Sequence, residues 1–486
     1  MSEVRVRAGR WADSAKMMAA ARAAEGVEGV ERALCFMGTA ANREEAAALG
    51  VTDPSIDGAG PDDLVIAVLG AAAAEGLEAA EAVLDRPATG GDGAAAGPRP
   101  LRTMARSEGD VAIISVPGEY AALEAHKALG AGMDVLLFSD NVSLEDEVAL
   151  KRRAHALGRL VMGPGAGTAI LDGLALGFAN AVAPGRVGVV AAAGTGAQEV
   201  TVLVDRAGAG ISRCYGTGGR DLKEEVGAVT ALDAIGRLAE DDGTDVILCV
   251  SKPPAPEVAE RVLRALARCG TPAAACMVGG GVDPVDGVLL APTLEEAALA
   301  AVRLAGRPAE PARDPRADWV AGGAVRGLFS GGTLCSEASA ILAERLGRVT
   351  SNAPAGGARP LEGRPEGHVC LDLGEEEFTR GRPHPMIDPE GRLERLRQEA
   401  ADPEVGVLLV DVVLGYASHA DPAGALAPAI GEALADRPQM AVVAYVLGTE
   451  ADPQVRSRQE AALAEAGARL APTNAAAARL AAALAG

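Results

Sequence analysis

Short apolar runs alternate along the chain with longer stretches rich in Ala, Leu and Glu. The first of these runs lie at residues 33–37, 64–69, 111–116, 135–138 and 159–162. Short runs of this kind are typical of buried strands, and the stretches between them have the length of helices. This alternation predicts βαβ units, and therefore an α/β fold with parallel sheets.

The alternation restarts twice, which predicts three tandem domains. New runs begin after Ala183-Pro184-Gly185 and again at residues 325–330, beyond a polar segment, 306–316, that carries three prolines. Such a segment has linker composition. We therefore expect a Rossmann-like domain at 1–180, an α/β domain at 181–308, a linker at 309–320 and a third α/β domain at 321–486.

Composition and charge argue against several classes of function. The 486 residues carry 45 basic and 67 acidic side chains, a net charge of −22, which repels nucleic acid and anionic membranes but allows a local site for a small anion. The seven cysteines show no CxxC spacing, so no metal site or disulfide framework is predicted. Neither a membrane span nor a secretion signal is apparent, and we expect a cytoplasmic protein.

Two glycine turns resemble each other. Gly194-Thr195-Gly196 and Gly331-Gly332-Thr333 each follow an apolar run and precede a helical stretch with an acidic residue, Glu199 or Glu337. Exposed N–H groups and the helix dipole make such a turn a candidate phosphate site. Neither turn matches a P-loop, and each alone is also explained as an ordinary strand-to-helix turn. Their similarity in separate domains favours one shared anion.

A second candidate is the segment 379–389, which is stiffened by three prolines. Arg382 can bind a carboxylate or phosphate, His384 can donate to a carbonyl oxygen or carry a proton, and Asp388 can orient either one. The alternative is that Asp388 caps the following helix while Arg382 forms a surface ion pair.

Weaker candidates end other predicted strands. Gly218, Gly219 and Arg220 could close over an anion, although a turn with a helix cap explains them equally well. Lys252 could point into a cleft at the carboxyl ends of the strands.

The chain resembles the FdrA family of the succinyl-CoA synthetase superfamily. The resemblance rests on strings such as Gly218-Gly-Arg-Asp-Leu222, Ser251-Lys-Pro-Pro254, Gly381-Arg-Pro-His-Pro-Met-Ile-Asp-Pro389 and Leu409-Val-Asp-Val-Val413. It implies a Rossmann-like CoA-binding-type domain followed by two flavodoxin-like ligase-type domains. In the synthetase, two helix N-termini converge on a phosphohistidine, and the matching positions here are the two glycine turns.

The departures from the synthetase bear on function. The turn that carries its phosphorylated histidine reads Gly279-Gly280-Gly281-Val282 here, and residues 310–320 leave no room for an ATP-grasp domain. Phosphohistidine chemistry is therefore not expected. FdrA-family proteins resemble a component of an oxamate carbamoyltransferase, which works with two other subunits and converts oxalurate and phosphate to oxamate and carbamoyl phosphate.

The resemblance implies an enzyme subunit that needs no cofactor. In this hypothesis the two glycine turns hold phosphate, Arg382 or Arg220 holds the substrate carboxylate, and His384 donates to the carbonyl. The first alternative is an acyl-CoA ligase or CoA-binding protein with CoA near Gly38, Thr39 and Asn42 and a separate nucleotide-binding partner. The second is a scaffold that binds an anion without catalysis. An oligomer is expected in each case.

Overall fold

The computed structural model describes residues 2–10, 12, 14–85, 109–379 and 383–486. They belong to two compact units, residues 1–101 and residues 102–486. In the part of the chain that is described, no helix is both long and apolar enough to cross a membrane.

The first unit is built on an antiparallel sheet of order β1-β3-β2. Alternate residues of β3 enter two different cores: Leu64, Ile66 and Val68 pack with α1 and α4, whereas Val65 and Ala67 pack with α2 and α3. The elements are β1 (Ser2–Arg7), α1 (Ser14–Glu25), β2 (Val30–Met37), α2 (Ala40–Ala48), α3 (Pro54–Asp57), β3 (Leu64–Gly70) and α4 (Ala73–Leu84).

The second unit begins with a small parallel sheet of order β4-β5-β6. Its elements are β4 (Val111–Ile114), α5 (Gly118–Gly130), β5 (Asp134–Leu137), α6 (Leu144–Ala156) and β6 (Val161–Met162).

A seven-stranded sheet of order β13-β12-β11-β9-β10-β7-β8 follows. It is parallel except for the hairpin β7–β8, which pairs antiparallel with β10. The elements are β7 (Thr168–Leu171), β8 (Leu174–Gly177), β9 (Pro184–Ala192), α7 (Gly194–Arg206), β10 (Ile211–Gly216), α8 (Val229–Ala239), β11 (Val246–Ser251), α9 (Pro256–Arg268), β12 (Ala273–Met277), β13 (Val288–Leu290) and α10 (Leu294–Leu304).

The last sheet is also seven-stranded and wholly parallel, with order β16-β15-β17-β14-β18-β19-β20. The elements are β14 (Ala324–Phe329), α11 (Gly332–Leu346), β15 (Val349–Ser351), β16 (Arg359–Pro360), β17 (His368–Asp372), α12 (Glu376–Thr379), α13 (Glu390–Ala401), β18 (Val405–Val413), α14 (Pro422–Asp436), β19 (Ala441–Leu447), α15 (Arg456–Glu465), β20 (Arg469–Ala471) and α16 (Asn474–Ala485).

The predicted α/β class with parallel sheets is confirmed, but the stretch predicted as one domain at 1–180 is divided differently. Its first part is a separate unit with an antiparallel sheet, and its last part, residues 168–177, extends the next sheet. Apolar runs and turn residues reveal strands, but they do not show whether a neighbouring strand is parallel. Residues 309–320, predicted as a linker, form neither helix nor strand.

The two seven-stranded sheets share one hydrophobic core. Buried residues of α7, α10, α11 and α16 lie in a single cluster with inward-facing residues of both sheets. This arrangement fixes the starts of α7 and α11 relative to each other.

Candidate functional site

The two glycine turns identified in the sequence meet in the structure. The hydroxyl oxygen of Thr195, in the first turn of α7, accepts a hydrogen bond from the backbone N–H of Thr333, in the first turn of α11, at 3.3 Å. A Cβ at Gly331 would lie 2.8 Å from Thr195 Cγ2, and one at Gly196 would lie 2.9 Å from Thr333 Cγ2. Glycine at both positions therefore permits the close approach.

The start of α7 is open. Within the described residues, the N–H groups of Gly194, Thr195 and Gly196 have no hydrogen-bond partner, and Ala193 at the N-cap provides no side-chain cap. Gly194 is exposed, and a Cβ built there meets no atom within 4 Å. These three N–H groups and the positive end of the helix dipole are suited to an anion.

The start of α11 is held by a buried carboxylate. Asp411, on β18, accepts hydrogen bonds from the N–H groups of Ser330 and Gly331, both at 2.9 Å, and from the Ser330 hydroxyl at 3.0 Å. Arg392, on α13, forms a buried ion pair with the same carboxylate at 2.7 Å. Asp411 thereby fixes the turn before α11, and Arg392 balances the charge of Asp411.

Lys252 and Asp372 flank Gly332. A Cβ at Gly332 would lie 2.2 Å from Asp372 Oδ2 and 2.8 Å from Lys252 Nζ. Lys252 also forms an ion pair with Glu375 at 3.5 Å. Burial lowers the pKa of Lys252, but the carboxylates of Asp372 and Glu375 outweigh burial, so that its pKa is raised and the ammonium stays charged. Lys252 thus places a positive charge beside the two helix starts.

His384 lies next to Gly374 and Asp372, at the end of β17. A Cβ at Gly374 would lie 2.4 Å from His384 Nε2 and 3.1 Å from Asp372 Oδ1. The His384 Nδ1 accepts from the Met386 N–H at 3.2 Å, and the ring contacts Phe178 with centroids 6.1 Å apart. Burial lowers the pKa of His384 to about 4, so near neutral pH the ring is uncharged and carries its proton on Nε2.

The loop after β10 borders this region, and its Arg220 is paired with a buried carboxylate. A Cβ at Gly219 would lie 3.9 Å from the Lys252 side chain, whereas Gly218 packs against Gly163 and Pro164. Arg220 pairs with the buried Glu147, on α6, at 2.8 Å and donates to the Val142 carbonyl, also at 2.8 Å.

Two other contacts lie in the predicted segment. Asp388 accepts from the Glu390 N–H at 3.1 Å, at the start of α13, and the Met386 N–H donates to the His384 ring. Arg382 lies outside the described residues.

The candidate CoA-site residues belong to the first unit and stabilise its own loops. Asn42 Nδ2 donates to the Met37 carbonyl at 2.8 Å, and the Asn42 N–H donates to Thr39 Oγ1 at 3.3 Å. A Cβ at Gly38 would lie 2.6 Å from the Gly60 carbonyl oxygen, which explains glycine there.

Glutamates on the two helices that carry the glycine turns cap two further helices, α16 and α10. Glu199, on α7, accepts from the Asn474 N–H at 3.4 Å and from the Tyr445 hydroxyl at 2.6 Å. Glu337, on α11, accepts from the Leu294 N–H at 2.7 Å. Glu199 therefore caps α16, which follows the last sheet, and Glu337 caps α10, which follows the preceding sheet. The two glutamates thus link the sheets that carry the two glycine turns.

Asp372, Asp411 and Arg392 are the residues that sequence reasoning missed. Asp411 interrupts the apolar run Leu409-Val410-Asp411-Val412-Val413, and Asp372 ends the run 369–372. A charged residue inside a buried strand requires a partner, and that signal was available in the sequence.

The triglycine turn after β12 is closed by backbone contacts. A Cβ at Gly279 would lie 2.7 Å from the Gly356 nitrogen, and Gly279, Gly280 and Gly281 all have positive φ. Side chains are disfavoured in that conformation. The turn is built for glycine rather than for a reactive side chain.

Comparisons with known proteins agree with this architecture. A family model described as CoA-ligase matches residues 328–484, and one described as AllF, heavy metal-associated domain, matches residues 1–100. The uncharacterised protein YahF of Escherichia coli K12 is 40% identical over 490 residues, which cover 95% of this chain and 94% of YahF.

Two more distant similarities concern acyl-CoA enzymes. The alpha subunit of the ADP-forming succinate–CoA ligase of Methanothermobacter thermautotrophicus is 26% identical over 146 residues, 29% of this chain and 48% of that subunit. The dinucleotide-forming acetyl-coenzyme A synthetase 1 of Ca. Korarchaeum cryptofilum, solved with phosphate and ADP, is 18% identical with a TM-score of 0.34, covering 78% of this chain and 82% of that one.

The first unit does not fit a heavy-metal ion. Residues 1–100 contain no histidine and one cysteine, Cys35, and burial raises the pKa of its thiol to about 12. Soft metal ions in proteins are typically held by thiolate or imidazole ligands. The remaining soft ligands of this segment are the thioethers of Met1, Met17, Met18 and Met37. No cluster of three metal-binding side chains occurs within the described ranges.

Proposed function

We propose that the chain uses its ligase architecture for carbamoyl transfer. The chain belongs to the family of the Escherichia coli protein YahF and carries a CoA-ligase domain. It would be a subunit of a carbamoyltransferase that interconverts oxalurate plus phosphate and oxamate plus carbamoyl phosphate. Two further subunits would complete the enzyme. The reaction needs a phosphate site and a carbonyl-polarising donor, but neither a nucleotide nor a phosphohistidine.

One observation carries the proposal: the two helix starts meet beside an ammonium group. The N–H groups of Gly194, Thr195 and Gly196 and the Lys252 ammonium surround the Thr195–Thr333 contact. Helix N-termini and a lysine are a common way to hold phosphate. The proposed phosphate lies at the open start of α7, and Lys252 balances its charge.

His384 supplies the donor for the carbonyl. Its Nδ1 is occupied by the Met386 N–H, so the neutral ring presents Nε2–H on the side of Gly374 and Asp372. A neutral imidazole donates a hydrogen bond without adding a charge that would compete with Lys252 for the phosphate. The developing negative charge on the carbamoyl oxygen is stabilised by this bond. Arg382 remains the candidate for the substrate carboxylate.

The activity test uses the chain coexpressed with the products of its neighbouring genes. Carbamoyl phosphate is measured after oxalurate and phosphate are mixed with the purified complex. We expect formation by the wild-type complex and a loss of at least about a hundredfold with Lys252→Ala, since a charged phosphate contact is removed. A matched control, Lys127→Ala, removes an exposed lysine that pairs with Glu124 on its own helix and should leave the rate unchanged. An inactive wild-type complex contradicts the proposal.

The second candidate function is an acyl-CoA ligase that works with a separate nucleotide-binding subunit. The CoA-ligase match and the similarity to a succinate–CoA ligase alpha subunit favour it. It requires CoA binding, which the carbamoyl transfer does not. Saturable CoA binding together with acyl-CoA formation from ATP would select this function.

A further inference from the structure

We propose that Asp372 carries the proton of the transfer: it takes the proton from the attacking phosphate and gives it to the departing nitrogen of the substrate. The inference rests on the proposed function and extends it. It also defines the substrate class as N-acylated ureas, whose leaving nitrogen is too basic to depart without a proton.

The two carboxylate oxygens of Asp372 have different surroundings. Oδ1 accepts from the Gly374 N–H at 2.9 Å, and the Asp372 backbone is held on both sides by the Asn352 amide, at 2.8 and 2.9 Å. Oδ2 has no hydrogen-bond partner within the described residues and lies beside Gly332. One oxygen is anchored, and the other faces the start of α11, which meets the start of α7 where phosphate is proposed.

The charges around Asp372 suit a proton carrier. Its pKa is raised to about 7 as the net result of several effects. Burial raises the pKa most, the Lys252 ammonium and the Gly374 N–H lower it, and the Glu375 and Asp411 carboxylates raise it. Burial, together with the nearby Cys370 and Asp372, raises the pKa of the Cys335 thiol on α11. A group that titrates near neutral pH both accepts and releases a proton readily.

The neighbouring groups are less suited to this role. Asp411 is already committed to Arg392 and to the turn before α11. His384 is too weak a base, because its pKa is lowered to about 4. Glu375 is 46% exposed and pairs with Lys252, which leaves Asp372 as the buried carboxyl at the helix start.

The step balances without another reactant. An oxygen of hydrogen phosphate attacks the carbamoyl carbon, and its proton passes to Asp372 Oδ2. The carbon–nitrogen bond breaks, and the same proton passes from Asp372 to the nitrogen. Carbamoyl phosphate and a neutral amide result, and Asp372 is again a carboxylate.

Sulfate is the probe that separates this inference from the proposed function, because it mimics the phosphate dianion but does not titrate near pH 8. We measure its binding to the purified chain calorimetrically in two buffers of different ionisation enthalpy. Hydrogen phosphate brings its own proton to share with the Asp372 carboxylate, whereas sulfate has none. A sulfate placed beside Asp372 therefore favours the protonated carboxyl, with the proton taken from solvent. Wild type should take up close to one proton at pH 8, and the affinity should fall about tenfold from pH 8 to pH 9.

Asp372→Asn keeps the Oδ1 acceptor and should abolish the proton uptake, whereas Glu375→Gln, which removes a charge from the same region, should retain it. Sulfate binding by wild type without proton uptake overturns the role of Asp372 and leaves the phosphate site standing. Failure of wild type to bind sulfate and phosphate overturns both. If Asp372→Asn does not fold, the pH dependence of the wild-type affinity alone decides.

Discussion

The starts of α7 and α11 have equivalent positions in the two halves of the site but are held in different ways. Three N–H groups of α7 have no partner within the described residues, and Gly194 faces open space. At α11, Asp411 occupies the preceding N–H groups, and Asp372 and Lys252 press against Gly332. The first helix start is therefore suited to bind an anion, and the second to position the groups that act on it.

The largest expected effect tests how the α11 start is held. Asp411→Ala leaves the Arg392 guanidinium buried without its partner, and the free energy of unfolding should fall by about 3–5 kcal/mol. Denaturation in urea measures this change.

A double variant provides the control for Asp411. Asp411→Leu combined with Arg392→Met removes both charges and should cost less than the single variant. If Asp411→Ala is as stable as wild type, the buried pair does not hold the α11 start.

The next effect concerns chemistry on the α11 side. His384→Ala should reduce turnover of the assembled complex by about a hundredfold or more, because the donor to the carbamoyl oxygen is lost. Phosphate affinity should change little, since His384 is assigned to the carbonyl. Steady-state kinetics in oxalurate and phosphate separate the two effects, and unchanged turnover would remove His384 from the mechanism.

The buried carboxyl of Glu199 predicts that the stability of the fold depends on pH. Burial raises the pKa of Glu199 to about 8, and the folded state therefore favours its protonated form. This stabilisation is complete below the ordinary pKa near 4.5 and is lost as the pH rises to 8. Between pH 6 and pH 8 the free energy of unfolding should fall by about 2 kcal/mol more in wild type than in Glu199→Gln. Urea denaturation across this range measures it, and parallel curves would contradict it.

The smallest effect compares the two helix starts directly. Gly332→Ala places a methyl group against Asp372 and Lys252 and should cost about 1–3 kcal/mol. Gly194→Ala places it in open space at the equivalent position and should be neutral or stabilising by up to about 1 kcal/mol. Thermal unfolding of both variants measures the difference, and equal losses would mean that the two starts are not distinct.

The local part of this site could be predicted from sequence. The two glycine turns are predicted by a repeated local pattern, an apolar run followed by Gly-Thr and a helix with a glutamate at the same position. The similarity of the two patterns favours a shared anion. The alternation of apolar runs and helical stretches likewise predicts the strands and helices of the two large sheets, because strand period and length are local properties.

Contacts between distant residues could not be predicted in this way. Arg220 resembles a free cation in the sequence, but it pairs with Glu147, 73 positions earlier. Asp411 reaches the turn before α11 from a strand about 80 residues later. Local pattern does not specify such pairs, and it did not distinguish the antiparallel sheet of the first unit from a parallel one.

The most direct test of the central claim is thermal unfolding of the purified chain with phosphate, carbamoyl phosphate or CoA added separately. A ligand at a hundred times its Kd adds about 2.7 kcal/mol to the stability of the folded state. We predict stabilisation by phosphate and carbamoyl phosphate but not by CoA, and loss of the effect in Lys252→Ala. Stabilisation by CoA alone would contradict the phosphate site and favour the acyl-CoA ligase.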